Sequence, residues 1–157
     1  MIDKGLLLEL QAYIENHLKL QMFESISFQK SEELQSTEIE DFIVSKRQPA
    51  FNQTLFRFID KKNVSDSFIY KRAGIDRRHF SKIRSNSEYK PGKNTVVTLA
   101  LALELTKKET DTLVSSAGYS LSDSDTFDLV IQFCLEKKIY DFDVINQALD
   151  YFSLNSL

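Results

Sequence analysis

Large apolar residues recur along the chain at every third or fourth position, which is the spacing of helices that bury one face. Leu6, Leu7, Leu10, Tyr13, Ile14 and Leu18 form the first such stripe, with Glu9, Glu15 and Lys19 between them, so the spacing predicts an amphipathic helix from Lys4 to Leu20. That stripe needs a cover, either the rest of the chain, a second copy in a homodimer, or a protein partner. From Glu24 to Ala50 the chain turns polar and acidic. This reads as a loosely packed connection with a short helix at Ser36 to Val44, where Thr37 and Glu40 have capping-box spacing. Pro49 marks the boundary. The expected division is 1–50, an amphipathic helix and acidic linker, and 51–157, an all-α domain.

Phe51, Leu55, Phe58 and Ile59 predict a helix over Asn52 to Lys62. The next, Asp66 to Ala73, has Ser65 or Asp66 to cap it and Gly74 to stop it, since glycine tolerates the positive φ of a tight turn. Ile75 buries at the corner, and Asp76 caps a basic helix running to Ser85. SNSEYKPGK is a loop by its Ser, Pro and Gly content. Asn94 is placed to cap TVVTLALALEL, which is apolar nearly all round and must be covered on several sides. Thr106 and Glu109 form a second capping box, ahead of Leu113, Val114 and Ala117 and a stop at Gly118. Ser122, Asp123 and Asp125 open a helix striped by Phe127, Val130, Ile131, Cys134 and Leu135. Asp141 to Phe152 closes the chain, with Val144, Ile145, Ala148, Leu149 and Phe152 facing inward.

Charge singles out one stretch. The balance is −4 over residues 1–50, +7 over 51–94 and −6 over 95–157, so a net charge of −3 conceals a basic centre. Turning about 100° per residue from Asp76 puts Arg77, Arg78, Ser81, Lys82, Arg84 and Ser85 on one side of the basic helix and Phe80 and Ile83 on the other. Cations neutralise phosphate, and forked guanidinium groups match the O6 and N7 edge of guanine. A polyanion, double-stranded DNA above all, is the ligand such a face fits. An acidic protein is the alternative.

Catalysis finds little to work with. Two histidines, one cysteine and no glycine-rich phosphate loop leave no nucleophile, base and orienting group in series, so neither an enzyme nor a metal or cofactor site is expected. Asp123 and Asp125 sit where helix caps sit, His17 borders an apolar stripe, and His79 lies toward the buried side. The single Cys134 fits a reducing compartment. With neither a signal peptide nor an apolar run of about 20 residues, the expectation is a soluble, cytoplasmic protein.

The turn RAGID at Arg72 to Asp76, the helix RRHFSKIRS after it, and KPGKNTVVTLALALELT at Lys90 to Thr106 resemble the lambda-repressor and Cro-like, or xenobiotic-response-element-type, helix-turn-helix family. The resemblance covers 51–117, under half the chain. It implies a small bacterial or phage transcriptional regulator, commonly a dimer, with helix 66–73 crossing the DNA backbone and helix 77–85 in the major groove. It also implies base contacts from Arg77, Arg78 and Lys82 around the small Ser81, and phosphates near Lys90 and Lys93; with Arg84 these are the candidate DNA-binding residues. Three positions depart from the family pattern. Tyr70 stands where a small Ala allows close helix approach, Glu104 where a Gly ends the closing helix, and Leu101 where a polar residue is exposed. The first implies a wider crossing or a ring turned outward, and the last implies cover from the helices over Phe127 to Phe152. DRRHFSKIRSN followed by YKPGKNT also looks like a helical module appended to some bacterial macrodomain proteins, which would suit an adaptor that keeps the fold and binds an acidic partner.

Overall fold

The computed structural model describes residues 4–16 and 32–157; His17 and the 17–20 end of the first expected helix lie outside them. Among the described residues the regular structure is all helix, with no strand, and no helix is long and apolar enough to cross a membrane. The chain divides into two units, one ending at Arg47 and one spanning Gln48–Leu157.

In the first unit, residues 4–16 form α1 and Glu32–Lys46 form α2. Leu6, Leu7, Leu10, Tyr13 and Ile14 of α1 are exposed, as are Ile39, Phe42, Ile43 and Val44 of α2. The short capped helix expected at Ser36 to Val44 is instead part of a 15-residue one. Thr37 and Glu40 therefore fall inside α2, where backbone N–H groups already have partners one turn back, and a capping box requires the free donors of a first turn.

The second unit comprises α3 (Phe51–Lys62), α4 (Asp66–Arg72), α5 (Arg77–Ser85), α6 (Lys93–Ala102), α7 (Lys107–Ser116), α8 (Thr126–Glu136) and α9 (Phe142–Tyr151). At its centre is α6, buried without a break from Val96 to Leu103, so the all-round apolar pattern does mark the helix that neighbours enclose. α4 and α7 pack on α6, α3 on α7, α5 on α4, and α8 joins α7 to α9. One cluster unites Phe51, Leu55, Ile69, Phe80, Ile83 and Leu99 with Ile131, Cys134, Ile145 and Leu149, and the fully buried Leu101 belongs to it.

Two boundaries differ from expectation. α6 begins at Lys93 with Gly92 as its N-cap, so Asn94 lies inside the first turn and caps nothing. Tertiary anchors set that start: Pro91 is buried with its carbonyl accepting from the Tyr119 hydroxyl at 3.1 Å, and Lys93 Nζ lies 2.7 Å from Asp128 Oδ2. On α9 the inward stripe is narrower than expected, with Ile145 and Leu149 buried while Val144 and Phe152 are exposed. The Thr106 and Glu109 capping box forms in both directions.

Within this unit every helix but α5 closes in one way. A left-handed residue follows each, namely Asn63, Gly74, Glu104, Gly118, Lys138 or Ser153, and the next residue is a large apolar one whose N–H reaches back to the last turn. After α4, for example, Ile75 N donates to Tyr70 O at 2.8 Å and Gly74 N to Lys71 O at 3.2 Å, the paired bonds of a Schellman motif. Glu104 repeats this geometry after α6 at φ 54° without glycine's freedom. Its carboxylate takes a 3.0 Å bond from Arg72, and Leu105, the apolar residue after it, is fully buried. α5 alone ends in extended backbone, at Asn86.

Candidate nucleic-acid interface

α4 and α5 are joined by a turn whose chemistry is readable residue by residue. Ser65 accepts from Phe68 N at 3.2 Å to start α4, Gly74 turns the chain at φ 66°, and Asp76 accepts from Arg78 N at 3.3 Å to start α5. Phe80 and Ile83 hold α5 to the core, at 3% and 0% exposure. The Phe80 ring meets Phe56 edge-on at 6.0 Å and Tyr70 at 5.5 Å. The Tyr70 ring is thus not turned outward; it lies half-buried against Phe80 and the core.

The opposite face of α5 carries Arg77, Arg78, Ser81 and Lys82, all exposed. Arg77 and Arg78 have no acidic partner among the described residues, and the same holds for Lys90 in the loop beyond. Lys82 is held differently, with Nζ 4.3 Å above the Tyr89 ring, while the Tyr89 hydroxyl shares a 2.9 Å hydrogen bond with His79 Nε2. These contacts pin the loop 86–92 to the outer side of α5. Asn86 adds a turn of its own, its side chain accepting from Glu88 N at 3.0 Å and its carbonyl from Tyr89 N at 3.1 Å.

Two of the basic residues singled out in the sequence are engaged within the chain. Arg84 pairs with Asp66 at the start of α4 and lies 4.8 Å over the Phe56 ring of α3. Lys93 pairs with Asp128, whose side chain is 1% exposed and also accepts from Ser122 N at 2.8 Å. Among the described residues the cations of this face outside any ion pair are therefore Arg77, Arg78, Lys82 and Lys90, with Ser81 among them and Lys82 lying over Tyr89, while the paired Arg84 side chain keeps 59% of its surface exposed. Helical spacing placed Arg84 on the outer face, but spacing carries no information about Asp66 or Phe56, which reach it from other helices. The role of Tyr89 is not marked by helical spacing, since it lies in a loop. Its signal is an aromatic residue beside Lys90 in an otherwise polar loop.

Comparison with protein-family models, with curated proteins and with solved structures returned no match.

Proposed function

We propose that the unit Gln48–Leu157 is a helix-turn-helix domain of lambda-repressor type that binds double-stranded DNA in a sequence-specific manner, as a transcriptional regulator would. α5 enters the major groove, Arg77 and Arg78 reach base edges, Lys82 reaches a base or phosphate, Ser81 leaves room for close approach, and Lys90 meets the backbone. The observation that carries this reading is the two-sided character of α5, with Phe80 and Ile83 buried and unpaired arginines on the exposed face. Unpaired guanidinium groups on a rigidly seated helix are ready to bind without first breaking an internal ion pair. Nine residues of helix span about 13 Å, enough to read a few base pairs, which is why readers of this type commonly bind as dimers to two half-sites.

The test is selection of bound sequences from a random duplex pool, followed by affinity measurement across salt concentrations. An enriched motif with a steep salt dependence supports the reading. Absence of duplex binding at low salt refutes it.

A second reading takes the chain as an adaptor whose surface binds a protein. It is favoured by the exposed apolar residues of α1 and α2. The same selection separates the two, because an adaptor enriches no duplex sequence.

A further inference from the structure

We propose that Arg84 is a positioning residue which sets the aim of α5, rather than a DNA contact; this rests on the reading that α5 meets duplex DNA. Its guanidinium bridges two other helices, paired with Asp66 in the first turn of α4 and lying over Phe56 of α3 at 4.8 Å. Its backbone carbonyl accepts from Asn52 Nδ2, in the first turn of α3, at 3.5 Å. This second contact matters because α5 is the helix of its unit that lacks the left-handed closure, leaving its last carbonyls to find other partners. A side chain from α3 supplies one. Arg84 is therefore held by both its side chain and its carbonyl, at the end of α5 opposite Arg77.

Leverage makes this position decisive. Arg77 and Arg84 are seven residues apart, roughly 10 Å along the axis, so a tilt of about 10° pivoting at Arg84 displaces Arg77 by roughly 2 Å. Bidentate recognition of a base edge tolerates only about 0.5 Å. Loosening Arg84 should blur sequence preference while leaving the phosphate-neutralising charge of Arg77, Arg78, Lys82 and Lys90 in place. Phe56 links the two effects, since its ring lies under the guanidinium and meets Phe80 edge-on at 6.0 Å.

The experiment compares wild type, Arg84→Ala, Arg84→Lys, Asp66→Asn, Arg84→Ala/Asn52→Ala and Lys90→Ala in full-length protein, each checked for native helicity at the assay temperature. Fluorescence anisotropy gives affinity for a selected duplex and for a random duplex over a salt series. Arg84→Ala is expected to weaken selected-duplex binding about tenfold or more, to weaken random-duplex binding much less, and to leave the salt slope unchanged, whereas Lys90→Ala, which removes a proposed phosphate contact, weakens both duplexes alike and lowers that slope by about one. Asp66→Asn should lower the selected-to-random ratio as Arg84→Ala does, and Arg84→Lys, which keeps the ion pair, should restore part of it. Loss of helix population alone would scale both affinities equally. The proposal is overturned if Arg84→Ala lowers the salt slope as Lys90→Ala does, or if Asp66→Asn leaves the selected-to-random ratio unchanged. Should wild type bind no duplex, the DNA reading fails, and hydrogen exchange still decides the clamp: α5 amides exchange at least about tenfold faster in Arg84→Ala/Asn52→Ala, which removes both the side-chain and the carbonyl contacts, with α7 unchanged, or the clamp is refuted.

Discussion

The ion pair between Lys93 and Asp128 gives an asymmetric prediction. Asp128 is 1% exposed and Lys93 29%, so the two partners lose different amounts when left alone. Lys93→Met strands a carboxylate that has no route to water, and the cost expected for breaking a buried pair in that way is about 3–5 kcal/mol. Asp128→Asn strands only an ammonium that can swing into solvent. An Asn oxygen can still accept from Ser122 N, while its NH2 takes the place of Asp128 Oδ1, which has no hydrogen-bond partner, and becomes an unsatisfied buried donor costing about 1–3 kcal/mol. The Asn variant should therefore lose about 2 kcal/mol, less than the Met variant. For a unit of about 110 residues, 2 kcal/mol lowers Tm by roughly 6–12 °C. Urea denaturation with tryptophan-free detection, by circular dichroism, measures both. The reasoning is refuted if Asp128→Asn costs more than Lys93→Met, or if Lys93→Met costs under about 0.5 kcal/mol, the range of an exposed pair.

Other substitutions probe separate parts of the structure. At Glu104, φ 54° favours glycine over other residues, so Glu104→Ala should be less stable than Glu104→Gly by about 1 kcal/mol, although both lose the bond to Arg72; equal midpoints in urea would contradict this. Accepting the Thr106 backbone N–H, with help from Lys61, holds the Glu109 carboxyl below its ordinary value of 4.5. A depressed folded value gives stability that is present above 4.5 and lost as pH falls through the lower folded value, and Glu109→Gln should remove that acid-side slope from urea midpoints taken across pH. Burial pushes the Cys134 thiol up, so it should resist a thiol reagent in native protein and react once unfolded; prompt native reaction would show that α8 opens easily. Tyr140 donates to Leu105 O at 2.8 Å, and Tyr140→Phe should cost about 1 kcal/mol by leaving that carbonyl without the bond.

Apolar spacing reveals most of the helices because each buries one stripe against α6 or its neighbours. Phe51, Leu55, Ile59, Phe80 and Ile83 are all buried, and the capping residues Ser65, Asp76 and Thr106 act at the predicted positions. What spacing misreads are the ends fixed by distant residues. The start of α6 depends on Tyr119 and Asp128, and the turns at Glu104, Lys138 and Ser153 use left-handed residues whose types do not announce it. Those turns are legible only through the apolar residue that follows, Leu105, Ile139 or Leu154, whose N–H closes each helix. The candidate site divides along the same line. Exposure of Arg77 and Arg78 follows from helical rotation alone, whereas the engagement of Arg84 and Lys93 depends on Asp66, Phe56 and Asp128, distant in sequence. The full 15-residue length of α2 is not legible in its spacing, because its acidic, weakly amphipathic sequence gives no sharp stripe.

The central claim is that the exposed face of α5 reads duplex DNA. Its most direct test passes the full chain and Arg77→Ala/Arg78→Ala in parallel over a random duplex pool at low salt, with sequencing of what each retains. The account predicts that wild type enriches a motif and that the double variant enriches none. Retention of no duplex by wild type, or enrichment of the same motif by both proteins, would contradict it.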